Sequence, residues 1–140
     1  MNIIFFKNTD NSFDQRSIYA GVYLLRIGNI VTGKSFTLYV GESYCMSERC
    51  SQHLYETFHN DPGYLGLTKE HLENPDLYLS CEVYEAVPER WGSIKERDEI
   101  LKEREAAAID SLHPISQYET SDRVLPDRNK VVSEKIKGLS

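Results

Sequence analysis

Five polar side chains in this sequence have the types and order suited to a site that cleaves phosphodiester bonds. A carboxylate can hold a divalent metal, a guanidinium can stabilise the charge that builds on phosphorus, and a phenol or an imidazole can take or relay a proton. The chain offers two tyrosines, an arginine and a histidine four residues apart, and a later glutamate. They are Tyr23, Tyr39, Arg49, His53 and Glu105.

A predicted hairpin and the helix after it would position the first four of these residues. GVYLLRI and FTLYVG are rich in aromatic and β-branched residues and are separated by turn residues, which indicates an antiparallel hairpin with Tyr23 and Tyr39 in its strands. MSERCSQHLYETFH has helical spacing, with Ser47 as a candidate N-cap. Arg49 and His53, four residues apart, would then share one face of that helix.

A third strand and a long helix follow. DLYLSCEVYEAV alternates between apolar and polar residues, and GSIKERDEILKEREAAAIDSLHP predicts the strongest helix, which Pro114 ends. Glu105 lies in that helix beside alanines that leave space around it. LTKEHLEN predicts a short helix, the tail VVSEKIKGL a strand or a short helix, and MNIIFF a short strand or an arm. The predicted fold is α+β, with a small three-stranded antiparallel sheet flanked by helices. The predicted core stripe of the long helix is Ile94, Ile100, Leu101, Ala108, Ile109 and Leu112.

Length and composition predict a single domain over residues 1–140. Hydrophobic residues make up 40% and charged residues 27%, which is the ordinary range for a folded domain. No run of apolar residues is long enough to span a membrane, and the apolar opening has no basic leader of the kind that signal peptides carry. Three cysteines, an odd number without regular spacing, favour a reducing cytoplasm.

The net charge of −6 argues against a protein that grips nucleic acid through a broadly basic surface. Residues 54–90 contain eight acids and two bases, so this segment alone accounts for the imbalance. A solvated surface explains most of these charges equally well. A local basic patch remains a prediction for the C-terminal tail, at Arg123, Arg128, Lys130, Lys135 and Lys137.

Two tripeptides resemble the motifs that give the GIY-YIG nuclease family its name. Gly21–Tyr23 matches the first motif and Tyr39–Gly41 the second, and Ser43 is the small polar residue that often follows. Each tripeptide alone is weak evidence. The resemblance covers residues 20 to 118 or so and would leave an N-terminal arm and a basic C-terminal tail outside it.

Three further residues match the family in order and spacing. Arg49 and His53 stand at the family's distances from the second tyrosine, and Glu105 fits its metal-binding glutamate, with Ile109 and Pro114 following as in many members. Five polar positions in the expected order, on the expected elements, make the resemblance specific.

The resemblance implies a three-stranded antiparallel sheet with flanking helices, and hydrolysis of DNA with one metal ion. Tyr23 would be the general base or part of the relay to it, and Tyr39 would orient the nucleophile or the phosphate. Arg49 would bind the scissile phosphate, and His53 would assist proton transfer or contact the phosphate. Glu105 would hold Mg²⁺ or Mn²⁺.

Four further residues are predicted to contact the substrate: Gly41, Ser43, Lys34 and Gln117. A glycine at residue 41 lets a ligand approach the backbone. Gln117 stands where many members of the family carry asparagine, and its amide is one methylene farther out, so a structural hydrogen bond is expected in altered form. Lys34 lies in a hairpin loop that is longer than in minimal members, and that loop either touches DNA or is simply longer.

The leading hypothesis is a metal-dependent endonuclease that acts on DNA. Cleavage of RNA or of branched DNA stays open, because a phosphate clamp reads the backbone and not the sequence. The alternative is a catalytically silent module of the same fold that binds nucleic acid or a protein partner, which the acidic middle segment and Gln117 would suit. Since no recognition domain is attached, sequence specificity would need the extended loop, the tail, an oligomer or a partner.

Overall fold

The computed structural model describes residues 1–59, 63–87, 91–117 and 128–140, and within them the chain has the predicted α+β class. Helices pack on both faces of a central sheet. The strands are β1 (Asn2–Phe5), β2 (Gly21–Asn29), β3 (Ser35–Ser43) and β4 (Leu77–Ala86), and the helices are α1 (Met46–His59), α2 (Lys69–Glu73), α3 (Ile94–Leu112) and α4 (Arg128–Lys137).

The sheet is mixed and four-stranded, in the order β1-β4-β2-β3. The three antiparallel strands of the prediction are present as β3, β2 and β4. The prediction of a three-stranded antiparallel sheet is nevertheless wrong, because β1 adds a fourth strand that pairs parallel with β4. A parallel neighbour is joined through a long crossover, so no local pattern in the opening residues identifies its partner.

The two faces of the sheet pack against different helices, since successive side chains of a strand point to opposite faces. Tyr23 points to the face covered by α1 and α4, where it joins Cys50 and Val132 in the larger core. Val22 points to the other face and packs near Ala108 of α3. The hairpin therefore lies between the helix that carries Arg49 and His53 and the helix that carries Glu105.

The turn into α1 differs from the prediction at one residue. The backbone N–H of Arg49 bonds to the carbonyl of Cys45, so the helix is already formed at Ser47 and that serine is not the N-cap. Ser43 closes the preceding turn instead. Its hydroxyl donates to the Cys45 carbonyl at 2.8 Å and accepts from the Cys45 N–H at 3.0 Å.

Helix α3 begins and ends as its sequence predicts, but its core stripe is narrower. Ser93 caps the first turn by accepting from the Glu96 N–H, and the helix stops just before Pro114. Leu101 and Ala108 are buried, whereas Ile94 is 68% exposed because it lies in the first turn, beyond the sheet's cover. The short helix predicted from LTKEHLEN is α2. The tail, predicted as a strand or a short helix, forms the helix α4.

Candidate functional site

Three side chains from three segments form a hydrogen-bonded chain beneath the end of the hairpin. The Tyr23 hydroxyl lies 2.7 Å from Nε2 of His53, and the Tyr64 hydroxyl lies 2.7 Å from Nδ1 of the same ring. Tyr39 packs edge-on against this imidazole, with ring centroids 5.0 Å apart. The structure thus brings the two motif tyrosines and the histidine together around one buried ring.

Gly41 makes room for the Tyr23 phenol. The two residues are paired across β2 and β3. A Cβ built on Gly41 would lie 2.3 Å from the Tyr23 hydroxyl oxygen, far inside contact distance. The predicted contact of Gly41 with a substrate therefore has a structural role beside it, because any side chain here would displace Tyr23 from His53.

Arg49 lies on the exposed side of this cluster. Its guanidinium donates to the Gln52 side-chain oxygen at 2.9 Å, one turn along α1. Its positive charge acts to lower the pKa of Tyr23, Tyr39 and His53 alike, which places it close to all three. Burial outweighs this effect at the two phenols, so the pKa of each is raised and both stay protonated near neutral pH.

Glu105 reaches the same region from α3 by way of the sheet edge. β3 is an outer strand, and the backbone amide of Glu42 on that edge lies near the Glu105 carboxylate and acts to lower its pKa. Burial and the neighbouring Glu42 charge nonetheless raise the pKa of Glu105. The charge of Glu105 in turn helps to raise the pKa of Tyr39 and of Tyr23. All five predicted side chains therefore share one electrostatic environment.

The cluster has an inner and an outer layer. Tyr23 is 1% exposed and His53 is 2% exposed, so neither presents its ring to solvent. Tyr39 and Glu105 are partly exposed and Arg49 is exposed. A ligand that approaches this end of the hairpin would meet the outer three residues first, with the phenol–imidazole pair behind them.

The other predicted contact residues are divided between the site and the scaffold. The Gln117 side chain accepts from the Val40 N–H at 3.0 Å, as the prediction of a structural hydrogen bond anticipated. This bond continues two backbone bonds that the preceding residues, Ile115 and Ser116, make to β3. Ser43 is engaged in the turn before α1. Lys34 is exposed at the far end of the hairpin, five residues or about 17 Å along β3 from Tyr39. The structure does not bring Lys34 to the cluster.

Sequence reasoning missed Tyr64. The residue follows Gly63 in a short 3-10 turn, Tyr64–Gly66, and the sequence NDPGYLG indicated only a break after α1. Its link to His53 depends on how that turn folds back against the helix. A single tyrosine among turn residues carries no periodic signal, so nothing in the sequence identified it.

A metal at this site would be held by one protein carboxylate, that of Glu105. No group of three or more histidine, cysteine or acidic side chains within the described residues is arranged to hold a metal ion. Mg²⁺ commonly binds through one or two carboxylates, with water and substrate phosphate completing its shell. Glu105 is half-buried and forms no ion pair with another described residue, so it is compatible with that mode and not with a metal site built from protein ligands alone.

The burial of His53 should make the free energy of unfolding depend on pH. Burial, followed by the Arg49 charge, lowers the pKa of His53 to about 4, below the unfolded value of about 6.5. Its contribution to stability is complete above pH 6.5 or so and is lost as the pH falls towards the folded value, by up to about 3 kcal/mol. Urea unfolding of the parent should therefore lose stability between pH 6.5 and 4 more steeply than that of His53→Gln. Parallel curves for the two proteins would contradict the assignment.

Comparison with known proteins adds no relative: no family model, no curated protein and no solved structure matches the chain. Two broader observations bear on its setting. Among the described helices none is long and apolar enough to cross a membrane. Cys45, Cys50 and Cys81 are all unpaired.

Proposed function

We propose that this protein is a metal-dependent endonuclease of the GIY-YIG type, which hydrolyses phosphodiester bonds in DNA. The observation that carries the proposal is the 2.7 Å hydrogen bond between Tyr23 and a neutral His53, where the charges of Arg49 and Glu105 both act on the pKa of Tyr23. The phenol and the imidazole both lose contact with water on burial, and each serves as a polar partner of the other.

Proton transfer is assigned to the inner layer. In the proposal, the attacking water passes its proton to the Tyr23 oxygen while the Tyr23 proton moves to His53. The high pKa of Tyr23 and the low pKa of His53 keep both groups neutral at rest. A neutral imidazole at pH 7 is what a proton acceptor requires.

Phosphate binding is assigned to the outer layer. Arg49 is exposed and charged, and its planar fork suits two oxygens of one phosphate. Its bond to Gln52 is solvent-exposed, so exchanging it for a phosphate costs little. Tyr39 packs edge-on against the His53 ring and feels the Arg49 charge, and in the proposal its hydroxyl would orient the phosphate or the water.

Glu105 is the residue that would hold Mg²⁺ or Mn²⁺. The bound ion would supply Lewis-acid stabilisation of the charge on the phosphate oxygens. The raised pKa of Glu105 fits this role, because a cation beside the carboxylate would relieve the unfavourable charge that burial and Glu42 impose.

The substrate and the setting follow from the same chemistry. The site recognises a backbone phosphate, so RNA and branched DNA are the nearest alternatives to duplex DNA. Exposed Lys130, Lys135 and Lys137 on α4 keep the prediction of a basic patch open for the tail, while Arg123 lies outside the described residues. A partner or a second copy would supply sequence specificity. The unpaired cysteines fit a cytoplasmic location.

A substrate panel tests the proposal. Supercoiled plasmid, linear duplex, branched DNA and single-stranded RNA would each be incubated with the protein in Mg²⁺, Mn²⁺ or EDTA. We expect cleavage of at least one DNA substrate in either metal and none in EDTA. Tight binding of nucleic acid without cleavage would instead support the silent module, and neither cleavage nor binding would support a protein-binding role.

A further inference from the structure

Tyr64 contacts the candidate site, yet the resemblance assigns it no role. Its hydroxyl lies 2.7 Å from Nδ1 of His53, across the ring from the nitrogen that Tyr23 contacts. A neutral imidazole has one N–H and one unprotonated nitrogen. His53 therefore donates to one of the two phenols and accepts from the other.

Burial distinguishes the two arrangements. Within the described part of the chain, His53 is the hydrogen-bond partner of the Tyr23 hydroxyl, and Tyr23 is 1% exposed. If Nε2 carried the proton, Tyr23 would accept it and its own O–H would need another acceptor in the core. A buried hydroxyl without an acceptor costs about 1–3 kcal/mol. Tyr64 is only partly buried, so the imidazole is not the one acceptor its O–H can reach, and its oxygen can accept from the ring.

We propose that Tyr64 is a positioning residue that holds His53 as the Nδ1–H tautomer, leaving Nε2 to accept from Tyr23. In the relay, one proton leaves water for the Tyr23 oxygen and one leaves Tyr23 for Nε2. The imidazolium formed then keeps its Nδ1–H bonded to Tyr64. This catalytic consequence rests on the proposed function, whereas the tautomer is a property of the folded protein itself.

The turn that carries Tyr64 is braced from two sides. The Leu65 carbonyl accepts from the Ser116 hydroxyl at 2.8 Å, and the same hydroxyl accepts from Nε of Arg128 at 2.5 Å. Gly66 lies so close to α4 that a Cβ there would meet the Val132 side chain at 2.6 Å. The C-terminal helix and the segment after α3 thus fix the turn, and with it the hydroxyl that faces His53.

The tautomer can be read directly by NMR of protein labelled with ¹⁵N-histidine. The His53 signals are assigned by their absence in His53→Gln. We expect a protonated Nδ1 and an unprotonated Nε2 in the parent protein at pH 7. A parent whose Nε2 carries the proton would overturn the proposal, whether or not the protein cleaves DNA.

Tyr64→Phe then tests the cause, with Tyr55→Phe on the exposed side of α1 as the matched control. Without the Tyr64 oxygen, Nδ1–H loses the acceptor that the structure shows, so each tautomer leaves one buried donor unpaired. We therefore expect Tyr64→Phe to populate the Nε2–H tautomer beside the Nδ1–H tautomer and to lower kcat roughly 10-fold to 100-fold, the cost typical of removing a group that orients a metal-bound histidine. KM should be nearly unchanged, and Tyr55→Phe should match the parent. An unaltered tautomer in folded Tyr64→Phe would refute the role of Tyr64. If the parent cleaves nothing, the proposed function fails while the tautomer result still decides this proposal.

Discussion

Glu105→Ala is expected to abolish metal-dependent cleavage, with a loss of at least about 1,000-fold in single-turnover rate. The charge of the Glu105 carboxylate helps to raise the pKa of both motif tyrosines, as that of no other described carboxylate is shown to do. Without it, the proposed site would lose the residue that would hold the cation. The measurement is the rate of plasmid nicking at saturating Mg²⁺, repeated in Mn²⁺.

Glu103→Ala is the matched control for this variant. Glu103 lies two residues earlier on α3, carries the same charge and is exposed. The Glu103→Ala variant should cleave at the parental rate. Glu105→Ala should also fold as well as the parent, because burial and Glu42 already disfavour its ionised form. Parental cleavage by folded Glu105→Ala would remove the metal assignment, and an equal loss in both variants would point to net charge instead.

Tyr23→Phe is expected to reduce the cleavage rate by about 100-fold to 10,000-fold while leaving substrate affinity close to that of the parent. The substitution deletes one oxygen and keeps the ring that covers Gly41. It removes the group that exchanges a proton with His53. It also leaves Nε2 of His53 unpaired in the core, which should lower the free energy of unfolding by about 1–3 kcal/mol. Single-turnover kinetics and urea unfolding measure the two effects.

Tyr78→Phe provides the comparison for Tyr23→Phe. Tyr78 is also a strand tyrosine, but it is only partly buried, lies on β4 and points its side chain to the opposite face of the sheet. Its loss of a hydroxyl should change neither the rate nor the stability appreciably. If Tyr23→Phe cleaved like Tyr78→Phe, the relay would be wrong even in an active nuclease.

The central strands and the long helices could be predicted because their signals are local. β2, β3 and β4 alternate or are rich in β-branched residues, and α3 has a serine cap and a proline stop. The parallel pairing of β1 could not be predicted, since it depends on contact between Ile3 and Leu79, far apart in sequence. The core stripe of α3 was too wide at Ile94 because periodicity does not report where the sheet ends.

The residues of the candidate site also divide into those that local sequence patterns predict and those that depend on distant contacts. Tyr23 and Gly41 are neighbours because hairpin register follows from the turn, and Arg49 and His53 because they are one helical turn apart. The prediction of Glu105 depended on the resemblance, because no spacing rule predicts where α3 packs relative to β3. Tyr64 depended on the fold of an irregular turn. Sequence therefore identified the outer and inner layers of the cluster but not the group on the far side of His53.

The most direct test of the central claim is nicking of supercoiled plasmid by three proteins purified side by side: the parent, Tyr23→Phe and Glu105→Ala. The parent should nick the plasmid in Mg²⁺ and should not nick it in EDTA. Both variants should fail to nick the plasmid, while their amide NMR spectra remain those of a folded protein. Equal nicking by all three would identify a contaminant or a different site. An inactive parent on every substrate, in both metals, would contradict the assignment of this cluster to phosphodiester hydrolysis.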